Sequence, residues 1–184
     1  GRVTLATSTV RALGALSAGL LTLGMLSACT PAPEPDPKPT KTALFASDEE
    51  AFKAAEETYR AYIDASNAVD FADPKTFDAV YRWNSGSALS AEKKALTLYH
   101  AENLTRVGQG TFDSYKPLST DGDKITAQLC LDTSTVDLIR ADGTSALPED
   151  RAPRAARNVT FAPGPTSTGL QISSNGFPQD GFTC

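Results

Sequence analysis

From Leu44 to Leu104 the apolar residues of this chain recur at helical spacing, and from Arg106 onward they alternate. This change of period, from about 3.6 to 2, is the strongest constraint on the fold. A helical stripe and a two-faced strand share one core most simply when helices lie against one face of a sheet. Three helices followed by four or more strands therefore predict an α+β domain, with the helices on one face of a curved antiparallel sheet.

The helical half reads in three parts. Ser47 followed by Glu50 forms a capping box, and Asp48 and Glu49 add negative charge where a helix start favours it. Phe52, Ala55, Tyr59, Tyr62 and Ile63 then share one face up to about Asn67, while Lys53, Glu56, Glu57 and Arg60 take the other. Asp73-Pro74 opens a short second helix that carries Phe77, Val80 and Tyr81 on one side. After the turn-rich run Trp83-Asn84-Ser85-Gly86, Ser90 is expected to cap a third helix from Ala91 to about Leu104.

The strand half begins with 107–118, where Gly108 and Gly110 suit a bulged or bent strand. Asp121-Gly122 marks a turn. Beyond it Ile125, Ala127, Leu129 and Leu131 alternate with Thr126, Gln128, Cys130 and Asp132, which gives a strand with one buried face. Further strands are expected over 136–141, 158–162 and 169–173, with a proline-punctuated loop over 145–154.

Residues 1–42 do not follow either period. Arg2 and Arg11 are the only charges before Glu34, and the run from Ala12 to Leu26 is apolar or small throughout. It is too short for a comfortable spanning helix and fits a signal-peptide core. The run ends in Leu26-Ser27-Ala28-Cys29, which looks like a bacterial lipobox whose cysteine thiol accepts a diacylglyceryl group. Because the sequence begins with Gly1, the start of the full protein is expected upstream. Prolines at 31, 33, 35, 37 and 39 then hold the chain extended, at about 3.1 Å per residue, as a spacer of up to roughly 40 Å. The expected organisation is a lipoprotein signal peptide at 1–28, a lipidated cysteine and tether at 29–43, and one folded domain at 44–184.

Without the leader and its two arginines, 15 basic and 22 acidic residues remain. An acidic surface of that kind is repelled by phosphate backbones and anionic headgroups, so nucleic acid is not an expected partner and membrane contact must come through the lipid on Cys29. If Cys29 is lipidated, Cys130 and Cys184 are left as a pair in an oxidising compartment, where a disulfide is the default and a metal site or catalytic thiol the alternative. Cys130 falls on the strand face opposite Ile125, Ala127 and Leu129, so its partner must come from outside that core face. The tail 175–184 can supply it, with Phe177 and Phe182 covering apolar surface.

The order of helices, the bent strand after the third helix, and the run from Cys130-Leu131-Asp132 through Asp142-Gly143 to Cys184 resemble the cone-shaped, nuclear transport factor 2-like domains of actinobacterial lipoproteins. The resemblance covers about 44 to 184. It implies a curved sheet of four to six strands closing around a pocket, with the long first helix against it. Some relatives are isomerases, hydrolases or cyclases, and many others are non-catalytic binding or assembly modules. This chain departs from the pattern in lacking a clear hairpin between its second and third helices. It also has Leu170-Gln171 where many relatives place a tryptophan.

Acid–base chemistry in such a pocket needs a carboxylate or histidine facing a donor such as tyrosine. The candidates are His100, the one histidine, together with Tyr59 and Tyr62; Asp64 falls toward solvent. The bland role for each is core packing. No P-loop, dinucleotide fingerprint, nucleophile elbow or zinc-binding HExxH occurs, so neither a cofactor nor a metal is expected. The leading expectation is an anchored, non-enzymatic module on the extracytoplasmic face of the cell membrane. Its partner would be an envelope protein or a small apolar ligand, with Phe71, Tyr81 and Trp83 as candidate exposed aromatics. The alternative is a small cone-fold enzyme of isomerase or hydrolase type, or a carrier that uses the pocket.

Overall fold

Ser47 starts the first helix as the sequence requires: its hydroxyl accepts the Glu50 N–H at 3.2 Å. The Glu50 carboxylate reaches back to the Ala46 N–H at 3.0 Å, one residue earlier than in a strict capping box. The computed structural model describes residues 44–184. The leader 1–28, Cys29 and the remainder of the tether to 43 lie outside the described residues.

Helix α1 runs Asp48–Asn67 and buries Ala51, Ala54, Ala55, Thr58, Tyr59, Tyr62 and Ile63. Its Thr58 hydroxyl is satisfied by the Ala54 carbonyl at 2.7 Å and by Thr168 at 2.6 Å. The far end of α1 carries no basic residue of its own. Arg106 supplies the charge from a strand, donating to the Ser66 and Asn67 carbonyls where the helix leaves acceptors unpaired. The Asn67 side chain ties the same end to Gly110, accepting its N–H and donating to its carbonyl, each at 2.9 Å.

Asp73 caps a 3₁₀ turn at Pro74–Thr76 that runs into α2, Phe77–Tyr81, and Phe77 and Val80 enter the core. Helix α3 runs Gly86–Ala101, not from Ala91. Its start is set by tertiary pairing. Ser85 N–H donates to the Ile172 carbonyl at 2.8 Å and Ile172 N–H to Trp83 at 2.9 Å, so the segment expected as a loose break is pinned like a strand. Gly86 at φ +50 turns the chain into the helix, and a Cβ there would stand 3.0 Å from the Ser173 carbonyl oxygen. Ser90, the expected cap, instead donates within the helix to Gly86.

The strand expected at 107–118 is two strands. β1, Thr105–Val107, pairs with β4, Asp137–Ile139, as a small separate ribbon. β2, Thr111–Asp121, joins β3, Lys124–Asp132, β5, Arg154–Pro163, and β6, Leu170–Gly176, in an antiparallel sheet ordered β2-β3-β5-β6. The bend in β2 falls after Asp113, where the register with β3 slips and Ser114 adopts φ +54, rather than at the glycines. β5 begins four residues earlier than expected and pairs with all of β3 from Ile125 to Asp132.

Tyr59, Leu129, Val159, Phe161, Leu170 and Ile172 form the centre of the core, none exposing measurable surface. The architecture is α+β, three helices packed on one face of an antiparallel sheet, with a two-stranded ribbon completing the set of six strands. Phe71, expected as exposed, is buried, and Tyr81 and Trp83 are half-buried against the core, so the three aromatics present no surface patch.

Cys130 and Cys184 stand at disulfide distance, with Cα atoms 5.8 Å apart, across the outer face of β3. The tail there covers Gln128, whose side-chain amide donates to both Asp180 carboxylate oxygens at 2.9 and 2.8 Å. Phe177 does not cover apolar surface as expected; it stays 67% exposed and lies against the Arg157 guanidinium. Among the described residues no helix is long and apolar enough to cross a membrane.

Candidate functional site

Helix α3 presents Ala88, Glu92, Leu96 and Tyr99 at i, i+4, i+8 and i+11, one stripe facing the concave side of the sheet. Glu92 is the one carboxylate in that stripe. Opposite it, Leu131 and Ala155 come from β3 and β5, and Val136 and Leu138 from the segment containing β4. With Glu92, Leu96 and Tyr99 they line a cavity of about 520 Å³ that opens to solvent. A second hollow of about 450 Å³ shares Ala91, Glu92, Leu131 and Arg157 with the first and adds Tyr62, Asn84 and Asn175. Volumes of this size suit a small organic molecule.

The Tyr62 hydroxyl donates to the Glu92 carboxylate in a short hydrogen bond. Among the described residues no cation pairs with that carboxyl, and burial raises its proton affinity above the ordinary carboxylate range, against the Tyr62 bond, which lowers it. Burial and the facing carboxylate together push the Tyr62 phenol well up. Tyr59 lies behind Tyr62, with ring centroids 5.5 Å apart in an edge arrangement. Its hydroxyl is enclosed and has no hydrogen-bond partner among the described residues. Burial pushes its pKa up to about 12, with the neighbouring Asn175 amide and the Arg157 charge working against that rise.

Three arginines line the larger cavity. Arg106 is committed to the end of α1 and lies over the Phe71 ring, with 5.8 Å from guanidinium carbon to ring centroid. Arg151 donates to the Thr133 hydroxyl and to the Thr133 and Val136 carbonyls, which holds the loop before β5 against β4. Arg157 is different: it makes no side-chain hydrogen bond or ion pair among the described residues, and its Nε is buried without an acceptor.

The expected candidates separate accordingly. Tyr62 is in the site, and Tyr59 supports it from the core. His100 is not: its Nδ1 lies 2.7 Å from the Phe71 carbonyl oxygen near the end of α3, its ring meets Phe77 edge-on, and it lines neither hollow. Asp64 is exposed. Glu92 and Arg157 are the residues that sequence reasoning missed. Glu92 sits between Ala91 and Lys93-Lys94 and reads as surface charge, but its i±4 neighbours Ala88 and Leu96 are both buried. Arg157 continues the inward alternation of Val159 and Phe161, one step before the expected start of the strand. Among the described residues no cluster of three or more His, Cys, Asp or Glu is placed to hold a metal ion.

The raised proton affinity of Glu92 has a definite sign in stability. The folded carboxyl keeps its proton where the unfolded one has lost it, so its contribution is full below about pH 4.5 and is lost as pH rises through the folded value. Glu92→Gln should therefore remove a downward slope of melting temperature between pH 4.5 and neutrality. Parallel profiles for the two proteins would refute the desolvation of Glu92.

No protein-family model and no curated protein matches the sequence. Solved structures do share the arrangement. A proposed aromatic ring hydroxylase of Novosphingobium aromaticivorans is 12% identical at TM-score 0.45, covering 76% of this chain and 96% of that one. The beta subunit of a proposed aromatic-ring-hydroxylating dioxygenase from the same organism is 9% identical at TM-score 0.46, over 71% and 89%. The protein Aln2 from a Streptomyces species is 11% identical at TM-score 0.40, over 69% and 88%. The fold assignment rests on the elements and registers above, and the chemistry of the site on its own residues.

Proposed function

We propose that this chain is a lipid-anchored protein of the cell envelope, held on the extracytoplasmic face through Cys29 and the tether 29–43. Its domain, residues 44–184, takes up one small, mainly apolar molecule in the cavity between α3 and the sheet. The observation that carries the ligand reading is a concave pocket of about 520 Å³, open to solvent on one side, whose walls include the apolar side chains of Leu96, Tyr99, Leu131, Val136 and Leu138. A concave pocket lined mainly by apolar side chains with a few polar groups is the ordinary form of a small-molecule site.

Filling the cavity tests it. Ala155→Trp projects an indole from the β5 wall and should abolish uptake of a neutral fluorescent probe, N-phenyl-1-naphthylamine, while the far-ultraviolet dichroism stays unchanged. Undiminished probe binding would show that the probe sits elsewhere and would remove the cavity reading. Location is tested separately. Cys29→Ser should move the protein from the membrane fraction to the soluble fraction, because a dual acyl anchor contributes about 0.8 kcal/mol per buried CH₂ and one unmodified segment does not replace it. Persistent membrane attachment would sink the lipid-anchor reading.

One observation favours a second reading, in which the same site performs proton transfer. Glu92 combines burial, raised proton affinity and a phenol donor, the arrangement by which a carboxyl holds and passes a proton. The pocket would then be the site of an isomerase- or hydrolase-type reaction. The two readings part on Glu92→Gln, which keeps shape and hydrogen bonding: a carrier retains its affinity, whereas an enzyme retains affinity and loses turnover.

A further inference from the structure

We infer that Arg157 is a carboxylate-recognition subsite, so that the molecule taken up in the cavity is an apolar monocarboxylic acid. The inference rests on the cavity being a ligand site and names the ligand's polar head. Arg157 pairs in register with Leu129, so both face the concave side of the sheet with Val159 and Phe161. It lines both hollows. The other two cavity arginines spend their N–H groups on backbone carbonyls, whereas the Arg157 side chain has no carboxylate or carbonyl partner among the described residues and a buried Nε–H with no acceptor. An arginine in that condition is short of an anion.

The centroid of the Phe177 ring lies 4.6 Å from the central carbon of the Arg157 guanidinium, a cation–π contact that leaves its N–H groups without an acceptor among the described residues. The ring in turn is carried by the tail that Cys184 and Asp180 fasten to the outer face of β3. A planar guanidinium offers two parallel N–H groups to one carboxylate, a fit that a hydroxyl or ester cannot reproduce. One guanidinium without a protein acceptor among the described residues, beside apolar walls, suits one negative charge on an apolar body. A phosphate would bring a second charge into the same cavity as Glu92.

The test compares 4-phenylbutanoate with 4-phenylbutan-1-ol by calorimetric titration of the full chain with the Cys130–Cys184 bond closed. The acid should bind at least tenfold more tightly than the alcohol. Arg157→Gln should erase that difference and leave the alcohol's affinity within twofold, and Arg157→Lys should keep part of it. Should Arg157→Gln fail to fold, Phe177→Ala leaves the arginine in place, and its acid preference should fall several-fold. Equal affinity of acid and alcohol for the native protein would overturn the carboxylate subsite while leaving the cavity as a ligand site. Binding of neither would overturn both.

Discussion

Reduction of the Cys130–Cys184 bond is expected to lower the unfolding free energy of the domain by about 4 kcal/mol, because the bond closes a loop of 54 residues and restricts the unfolded chain accordingly. For a domain of this size that is a fall in melting temperature on the order of 15 °C. The native contacts point the same way. With the tail released, Gln128 loses the carboxylate that accepts from its amide, although it is only 2% exposed in the folded protein. Asp180, whose carboxyl that amide holds below the ordinary range, contributes only above the unfolded carboxylate value and loses its effect as pH falls through the folded one. Melting curves with and without dithiothreitol, and of Cys184→Ser, measure the effect. A shift under about 5 °C would mean that the tail is held without the bond.

Gly108→Ala should be about as damaging, by a different route. Gly108 has φ +74, and a Cβ there would stand 1.8 Å from the Thr135 carbonyl oxygen, a distance that only movement of one backbone can relieve. The left-handed conformation costs an L-residue about 1–2 kcal/mol, and a forced backbone shift about 1–3 kcal/mol more, so a loss of about 2–5 kcal/mol is expected. The damage has a location. Gly108 joins β1 to the strand that follows and abuts the segment leading into β4, and Val136, Leu138 and Arg106 of that region wall the cavity. Chemical denaturation should show the lost stability, and probe uptake should fall more steeply in Gly108→Ala than in a surface control such as Gly122→Ala, which has open space around its Cβ. Near-native stability would contradict the close approach at Thr135.

The first helix and β3 are legible in the sequence because each is specified locally. Ser47 caps, Ala55, Tyr59 and Tyr62 repeat at helical spacing, and Ile125, Ala127 and Leu129 alternate on one face. The beginning of α3 is not, since Ser85 becomes its start only when Ile172, far along the chain, accepts its N–H. The division between β1 and β2 depends likewise on Thr135, which closes on Gly108 from a distant segment. For the site, Tyr62 is visible as an aromatic on a buried face, but its partner is not. Glu92 gains meaning only when a turn of α3 is set against Tyr62, thirty residues earlier. His100 draws notice as the one histidine, a rarity that carries no position; the fold spends it on the Phe71 carbonyl.

The tail that carries Phe177 and Asp180 follows the last strand, and its cysteine is separated from Cys130 by the whole of β5 and β6. A chain that emerges N-terminus first has β6, and Phe177 directly after it, before Cys184 is available, so the bond is the last link of the sheet to close. Until then Cys130 is a free thiol on the outer face of β3, and closing the bond requires an oxidant. Residues 177–184 line neither hollow, so a reduced molecule would keep both and lose only the ring beside Arg157 and the cover over Gln128.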